Sequence, residues 1–377
     1  MNRRAVWVVM LVMALLLVMP KAWGQRPPDQ DPANHSQSIV LSWDRSSMPG
    51  TLDLIPSRTV FAYERATTLD YGRLFFTCQS DADSSTGRCP TADTGDRAST
   101  GSSRIPVRFT EQRSGMTVDV DVSGELLRID STLACQSDYW TAQPYALWTS
   151  FAPECIFRLP AGTGGGMRIN SAQFEKLVAG RWSARLQLAL RKPVHQQVAL
   201  YEFNFDFTIT DRNAVSIYFP AFHNVSPLVQ LNAAYDPIGQ TVGGRTVLDM
   251  CLYDGLGSQA QYLGVTVRDR GGHPPGPSGY SLWHTDGGTD DTRRLDYTVS
   301  LAHSGATVRM PNGVEQQLHG IDSAQLRLVI LPGMSQPVFC VPTPITFDIP
   351  RVPISTQQAG TYFGELQVEL RVPTTTP

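Results

Sequence analysis

The sequence predicts an all-β protein that folds into two β-sandwich domains in series. Charged residues make up 17% of the chain, below the roughly 25% of an average globular protein, whereas Val, Thr, Gly and Pro are plentiful. Apolar and polar residues alternate with a period of two in several segments, and no segment combines a sustained helical period with helix caps. Short strands that follow one another without intervening helices are typical of sandwiches.

The N-terminus has the features of a secretory signal peptide. Two arginines precede an apolar run over residues 5–19, and the small residues of Ala22-Trp23-Gly24 follow. This order predicts a signal peptide of residues 1–24. The apolar run is too short to cross a bilayer as a helix, and no comparable run follows. We therefore expect an exported protein whose mature chain, residues 25–377, is long enough for two hydrophobic cores.

The charge of the chain argues against nucleic acid as a partner. The formal net charge is −3, and loss of the cationic signal peptide makes the mature chain more acidic. The sequence has no basic tail and no basic run. Because nucleic-acid-binding proteins usually carry a basic patch or stripe, we expect no nucleic acid partner.

Alternation identifies three strands in the first half of the chain. Met and Val alternate with polar residues over 116–122, which predicts a half-buried strand. Residues 182–190 and 201–209 alternate over longer stretches, and we expect them to form a hairpin. The polar break between them contains Pro193, which cannot continue a central strand. Two cations precede this proline and are therefore placed at the end of the hairpin.

Two further segments of the first half are expected to lie outside the strands. Residues 171–178 predict one short helix, with Ser171 as its N-cap and with Phe174 among its buried residues. The glycine-rich segment 162–166 lacks the lysine of a phosphate-binding loop. We interpret it as a flexible loop.

The domain boundary is expected directly after the aromatic strand. The polar triplet Thr210-Asp211-Arg212 ends that strand, and a new alternating run begins at Val215. The first domain is therefore predicted over residues 25–211 and the second over residues 212–377. Alternation over residues 366–372 predicts the last strand of the second domain.

The cysteines predict structural disulfides. The six are Cys78, Cys89, Cys135, Cys155, Cys251 and Cys340. None form a Cys-x-x-Cys pair, so zinc binding and thioredoxin-type redox chemistry are not expected, and an even count in an exported chain favours disulfides. Spacing alone leaves about fifteen pairings open, of which the simplest joins nearest neighbours.

Motifs for catalysis, metals and cofactors are weak. Asp119 and Asp121 share a strand face, as paired catalytic carboxylates of a glycosidase could, but alternation with valines explains them as solvent-facing residues. The histidines are scattered, and no Gly-x-Ser-x-Gly or His-Glu-x-x-His motif is present. Asp286–Asp291 lacks the spacing of a calcium loop and is interpreted as a turn. We expect no enzymatic activity, no metal site and no cofactor.

Four separated segments carry a family resemblance. They are Tyr71-Gly-Arg-Leu-Phe-Phe-Thr-Cys78 closing on Cys89-Pro-Thr, Arg108-Phe-Thr-Glu-Gln-Arg-Ser114, Val247-Leu-Asp-Met-Cys-Leu-Tyr-Asp-Gly255 and Ala359-Gly-Thr-Tyr-Phe-Gly364. In order and spacing they resemble the tip adhesins of class 5 enterotoxigenic fimbriae of the CFA/I type and the related CblD-like pilus biogenesis initiators. The resemblance extends over nearly the whole mature chain and includes all six cysteines.

The resemblance implies an Ig-like adhesin domain followed by an Ig-like pilin domain. It also implies nearest-neighbour disulfides, which are Cys78–Cys89, Cys135–Cys155 and Cys251–Cys340. A pilin domain of this class lacks one strand of its sandwich, so a periplasmic chaperone and then the major pilin each lend a strand to its open groove. The expected partners are that chaperone, the outer-membrane usher and the major pilin. Because the adhesin domain replaces a donor extension, the protein is expected at the fimbrial tip on the cell surface.

The receptor site implied by the resemblance is a cluster of cations on the adhesin domain. Local matches place it at Arg73, Arg191 and Lys192. Lys192 stands where the family has arginine, and it offers a point charge without a bidentate fork. Clustered cations attract the carboxylate or sulfate groups of anionic host-cell glycans. Alternatively, Arg73 pairs with a nearby acid, and the other two cations only keep a turn soluble.

Three functional hypotheses follow from these observations. The first is a minor tip subunit that initiates chaperone-usher pilus assembly and binds a host glycan. The second is a purely structural initiator, with adhesion carried by another component of the fibre. The third, and the least supported, is a secreted β-sandwich hydrolase that acts on glycans.

Overall fold

The computed structural model describes residues 26–95, 100–222, 226–334 and 336–373, with only the backbone of His195. The predicted signal peptide lies outside these residues. Within them the chain is built from β-strands, and every helical segment is a 3-10 helix of at most 6 residues. The prediction of an all-β protein is therefore confirmed. No helix in the described ranges is long and apolar enough to cross a membrane.

The described residues form 22 strands. The first domain contains β1 (His35–Asp44), β2 (Leu52–Tyr63), β3 (Phe75–Thr77), β4 (Ser103–Glu111), β5 (Thr117–Ile129), β6 (Gly162–Ile169), β7 (Gly180–Arg191) and β8 (Gln197–Thr210). The second domain begins with β9 (Ser216–Tyr218), β10 (Ala234–Asp236), β11 (Thr241–Leu248), β12 (Cys251–Tyr253), β13 (Tyr262–Asp269), β14 (Tyr280–His284) and β15 (Arg294–His303). It ends with β16 (Ala306–Arg309), β17 (Gln316–His319), β18 (Arg327–Val329), β19 (Val338–Pro342), β20 (Ile345–Pro353), β21 (Tyr362–Phe363) and β22 (Leu366–Arg371).

Short 3-10 helices connect several of these strands. They are Arg45–Ser47, Tyr71–Arg73, Ser171–Lys176, Pro193–His195, Arg212–Ala214, Asp291–Arg293 and Ile354–Thr356. Two of them, Tyr71–Arg73 and Pro193–His195, carry or adjoin the predicted receptor residues. The 3-10 form is common in such short connectors.

One continuous sheet of eight strands forms the first domain. Its order is β1-β8-β7-β4-β5-β6-β2, and β3 pairs with β7. β1 runs parallel to β8, and the other neighbours are antiparallel. A single core contains side chains from all eight strands, so the sheet folds around it in two facing layers. Its aromatic centre is closed, because Phe109, Phe203 and Phe207 are 0% exposed.

The alternating segments form the predicted strands. Residues 116–122 contribute to β5, and Val120 and Val122 are buried there. β7 and β8 pair along almost their whole length as the expected hairpin. The predicted helix is present as the 3-10 helix Ser171–Lys176 with Phe174 buried, but its N-cap is Asn170 and not Ser171.

The interpretation of residues 162–166 as a flexible loop is wrong. They begin β6, which lies between β5 and β2. A Cβ atom at Gly164 would lie 2.6 Å from the Trp140 ring, and one at Gly165 would collide with the Glu125 carbonyl. These glycines are therefore needed for close approach of neighbouring strands, a role that composition does not distinguish from flexibility.

The second domain is a sandwich of smaller sheets. The larger layer has the order β10-β11-β20-β15-β14-β21, with β16 paired to β15. The facing strands form two separate sheets, β18-β19-β12-β9 and β17-β13-β22. Apolar side chains of both layers share one core, which includes Leu263, Val299 and Phe347. The facing layer is thus interrupted, whereas the sheet of the first domain is continuous.

Three disulfides join neighbouring cysteines. They are Cys78–Cys89, Cys135–Cys155 and Cys251–Cys340, which is the pairing expected from the sequence. The third bridge ties β12 to β19 and closes a loop of 89 residues. Both of its cysteines pack against the core of the first domain, so the disulfide also lies at the contact between the domains.

Direct hydrogen bonds join the two domains. The Arg113 guanidinium donates to the carbonyl oxygens of Ser258 and Ala324. The Asp211 amide donates to the carbonyl oxygen of Gly255 at 2.6 Å. These contacts tie the end of β8 and the turn after β4 to the second domain.

Candidate functional site

Arg73 lies on a tight turn at one end of the first domain. It ends the 3-10 helix Tyr71–Arg73, whose N-cap Asp70 has left-handed backbone geometry. The Arg73 guanidinium approaches the Asp70 carboxylate at 3.9 Å, and both side chains are more than one-third exposed. Such an exposed and long ion pair contributes little stability, so it leaves the guanidinium accessible to an external anion.

Strand pairing places Arg191 beside this turn. Arg191 is the last residue of β7 and stands opposite Phe75 of β3, two residues after Arg73. Its Nε atom donates to the Thr77 hydroxyl at 2.9 Å, and the side chain is half-buried. The register of β3 against β7 therefore determines the approach of the two arginines, which are far apart in the sequence.

Lys192 completes the group through contact with the same turn. Its Nζ atom lies 4.8 Å from the centroid of the Tyr71 ring, a favourable cation–π distance. A hydrogen bond from Thr68 and, more weakly, the charge of Lys192 lower the pKa of Glu64. The structure thus brings the three predicted residues to one end of the domain. We call Arg73, Arg191 and Lys192 the cation cluster.

A buried arginine holds the Tyr71–Leu74 turn from the interior of the domain. The sequence did not predict this role. Arg128 of β5 is 0% exposed, and its guanidinium donates to the carbonyl oxygens of Leu74, Thr149 and Phe151 at 2.6–3.0 Å. It also donates to the Thr163 hydroxyl, which in turn donates to the Tyr71 carbonyl. Both ends of the Tyr71–Leu74 turn are therefore fixed.

Burial lowers the pKa of Arg128 but leaves it charged at neutral pH. Desolvation lowers the pKa of its guanidinium to about 9, so it still carries a proton at neutral pH. Its partners are carbonyl and hydroxyl oxygens, which can satisfy the donors without neutralising the charge. A single charged residue within the apolar run Leu126-Leu127-Arg128-Ile129 was the sequence signal that could have revealed it.

A groove in the second domain is the other candidate site. β9 pairs on one side with β12, and β22 pairs on one side with β13. Each is the last strand of its sheet among the described residues. The gap between these two edges is the interruption in the facing layer. Unpaired strand edges are templates for the addition of another strand.

The groove is deep and lined mainly by apolar side chains. Its volume is about 1560 Å³. The floor comes from the opposite layer and includes Leu295, Tyr297 and Phe347, while Val368 and Leu370 of β22 form part of one wall. The wall residues are only half-buried. An extended apolar peptide would cover them.

The carboxylates that resembled a catalytic pair have structural partners. Asp119 accepts a hydrogen bond from the Ser84 hydroxyl at 2.8 Å, and Asp121 lies 3.4 Å from Lys176. In the acidic turn near residue 290, Asp286 and Asp290 both pair with Arg293. The described ranges contain no group of three or more residues suited to hold a metal ion.

Comparison with known proteins assigns both halves of the chain to one family. Residues 20–212 match the first domain of the CFA/I fimbrial protein CfaE, and residues 215–374 match its second domain. The CFA/I fimbrial protein CfaE of Escherichia coli is 27% identical over 307 residues, which cover 79% of this chain and 80% of that protein.

Solved structures show the same architecture. The crystal structure of CfaE, the adhesive subunit of the CFA/I fimbria of enterotoxigenic Escherichia coli, superimposes with a TM-score of 0.68 at 24% identity, covering 93% of this chain and 95% of CfaE. A chaperone–tip adhesin complex of CFA/I fimbriae gives a TM-score of 0.67 at 24% identity, covering 93% and 99% of the two chains. The resemblance found in the sequence is confirmed, and the chain belongs to the CfaE family of CFA/I fimbrial proteins.

Proposed function

We propose that this protein is a fimbrial tip subunit that starts a chaperone-usher fibre and binds anionic glycans on host cells. The observation that carries the proposal is the combination of a closed first domain bearing the cation cluster and a second domain with an open groove. Membership of a family of fimbrial adhesive proteins agrees with the expectation of a protein without enzymatic activity. We place the domain boundary between Asp211 and Arg212, where β8 has ended and β9 has not begun.

The groove is the basis for the proposed assembly role. A strand inserted between β9 and β22 would pair with both edges and cover the apolar floor, as in β-strand addition. A periplasmic chaperone would supply this strand first, and the major pilin would replace it at the usher. A relative has been solved as a chaperone–tip adhesin complex. Export through the periplasm to the cell surface is part of this proposal.

The proposed position at the tip rests on the first domain, which stands where other fibre subunits have a donor extension. A subunit inside such a fibre both accepts a strand and donates one. Here the described residues before the second domain fold into an eight-stranded domain, and we infer that it stands in place of a donor extension. A subunit that accepts a strand without donating one ends the fibre.

The cation cluster is the basis for the proposed glycan binding. Arg73 and Arg191 can form charge-assisted hydrogen bonds with a carboxylate or sulfate group. Lys192 adds a point charge, which its contact with the buried Tyr71 ring holds beside the turn. Asp70 and Glu64 lie nearby. Because their negative charges repel an anion, they favour a ligand whose anionic group lies among the cations and away from the two carboxylates.

Removal of the arginines tests the glycan site. We expect Arg73→Ala combined with Arg191→Ala to reduce attachment to immobilised sialylated or sulfated glycans by about tenfold or more, because two charge-assisted contacts are lost. Arg104→Ala is the matched control, since Arg104 is 74% exposed on β4 of the same domain. Fibres with the double substitution that attach as well as the parent contradict the glycan site.

The purely structural initiator is the second candidate. The contacts that favour it are Arg73 with Asp70 and Arg191 with Thr77, because they give both arginines partners inside the protein. Deletion of residues 25–211 separates the two proposals. Fibres that still form but no longer attach support an adhesive first domain, whereas unchanged attachment supports the structural role.

A further inference from the structure

The cation cluster is surrounded by exposed apolar side chains. Among the described residues of the first domain, the exposed large apolar residues are Val40, Met48, Leu69, Ile156, Phe157, Leu159 and Val194. Five of these seven lie on three loops next to the cluster. We call Leu69, Ile156, Phe157, Leu159 and Val194 the apolar rim. Single exposed apolar residues are ordinary, but their concentration at one place marks an interaction surface.

Contacts show that the three loops are neighbours. The Pro160 carbonyl oxygen lies so close to Gly72 that a Cβ atom at position 72 would collide with it. The Glu64 amide donates to the Ala161 carbonyl at 3.0 Å, which joins the Leu69 loop to the Phe157 loop. Lys192, two residues before Val194, contacts the Tyr71 ring. Phe157 is three residues from Pro160, so the chain allows at most about 11 Å between their Cα atoms.

The most exposed residues of the rim have unfavourable backbone geometry. Ile156 and Phe157 are the central residues of a two-residue turn, and both have positive φ, at 49° and 62°. Hydrogen bonds between Cys155 and Arg158 close this turn, and a disulfide anchors Cys155 to Cys135. Val194 has φ 66° at the tip of the hairpin. Branched and aromatic side chains rarely adopt this geometry, and such strain is concentrated at functional sites.

Packing does not account for this arrangement. Phe157 is 95% exposed and Val194 is 93% exposed, so neither side chain gains contacts within the domain. Asn and Gly would suit the two turn positions better. The turn therefore holds apolar side chains outward where polar residues would be both less strained and more soluble.

We propose that this end of the first domain binds the surface of a lipid bilayer that contains acidic glycolipids. The inference rests on the proposed glycan site, since the cation cluster would bind the acidic sugar of the headgroup. The apolar rim would then enter the boundary between headgroups and acyl chains. Cations beside protruding aromatic and aliphatic side chains are the pattern of interfacial membrane binding.

A lipid surface suits this geometry better than a protein partner. The rim residues are distributed over three loops, and the cations of the cluster adjoin two of them. A protein partner would need a pocket matched to each tip, as in close-packed interfaces. A fluid lipid bilayer can accommodate apolar side chains from separate loops without such complementarity. The charge of the cluster is complementary to anionic headgroups.

Vesicle flotation of the full mature chain tests this inference. The vesicles contain phosphatidylcholine with or without a sulfated galactosyl lipid, and the same sulfated sugar is immobilised separately without lipid. The test variant combines Ile156→Asn with Phe157→Gly, the residue pair that a turn of two left-handed positions favours, so the fold is retained. Val194→Ser is a second variant. Val40→Ser is the matched control, because Val40 is 74% exposed on β1 outside the rim.

We expect the parent to float with vesicles that carry the sulfated lipid. The turn variant should float about tenfold less, while its binding to the lipid-free sugar and the flotation of Val40→Ser stay unchanged. Equal flotation of the turn variant and the parent overturns the lipid assignment. Failure of the parent protein to float with any vesicles also overturns the lipid assignment. In that case, its binding to the lipid-free sugar shows whether the proposed glycan site is retained. Equal losses on vesicles and on the lipid-free sugar would overturn the lipid assignment and assign the rim to sugar binding instead.

Discussion

The two domains bury their apolar strands to different degrees. In the first domain, inward residues of β7 and β8 such as Leu188 and Phe207 are 0% exposed, because the sheet continues around the core. In the second domain, the apolar residues of β9 and β22 are only half-buried beside the groove. Both domains show the same alternation of apolar and polar residues. A complete core therefore depends on the number of strands present, and the alternation of each strand does not guarantee it.

This difference has consequences for stability. The first domain can gain the full hydrophobic contribution of its inward side chains without a partner. The second domain leaves part of that contribution unmade beside the groove, and the proposed donor strand would supply it. We therefore expect its stability to depend more strongly on the disulfide that joins β12 to β19 and on the occupant of the groove.

Loss of the Cys251–Cys340 disulfide should have the largest effect. Replacing both cysteines by serine removes a link that closes 89 residues, for which chain entropy predicts about 4 to 5 kcal/mol of stability. The matched change at Cys78 and Cys89 opens only 11 residues and should cost about 3 kcal/mol. Thermal unfolding of the two variants measures the difference.

A reversed ranking of the two disulfide variants would contradict the proposed difference between the domains. A greater loss for the Cys78–Cys89 variant would mean that the closed first domain depends more on its disulfide than the open second domain. Equal losses would mean that loop length does not determine the contribution of either bridge.

A matched pair of valine truncations should have an intermediate effect. Val120→Ala on β5 removes methyl groups from a fully buried position and should lower the free energy of unfolding by about 2 kcal/mol. Val368→Ala on β22 changes a half-buried wall of the groove and should cost less than about 1 kcal/mol in the free protein. Chemical denaturation measures both. A cost at Val368 as large as that at Val120 would show that this wall is already covered.

A pH-dependent interaction at the end of the first domain should have the smallest effect. Although burial alone would raise the pKa of Asp44, hydrogen bonds from Ser46, Thr210 and the Arg212 amide outweigh it and lower the pKa from 3.8 to about 2. The carboxylate therefore stabilises the fold above about pH 4, and this stabilisation is lost as the pH falls towards 2.

Asp44→Asn tests this interaction. We expect the substitution to cost about 1 kcal/mol at neutral pH, where the charged acceptor is lost. Parent and variant should converge as the pH approaches 2, in unfolding curves recorded across that range. The effect should lie where the two domains join, because Asp44 connects β1 to the end of β8 and also accepts a hydrogen bond from the Arg212 amide. A difference that persists unchanged at pH 2 contradicts the assignment.

Local patterns predicted much of the fold, but they did not predict which segments meet. The hairpin of β7 and β8 was evident because apolar residues alternate along both strands. The glycines of β6 were misinterpreted, since only the neighbouring backbone and Trp140 show why a side chain is excluded. The approach of Arg73 to Arg191 depends on the pairing of β3 with β7, a long-range register that the resemblance suggested but alternation alone does not encode.

The central claim is that an added strand completes the second domain. Hydrogen exchange tests it most directly, measured on the full mature chain with and without a donor peptide from the major pilin. We predict that the peptide protects the amides of β9 and β22 and leaves those of β8 in the first domain unchanged. Slow exchange of β9 and β22 in the free protein, with no further protection by the peptide, would contradict the account.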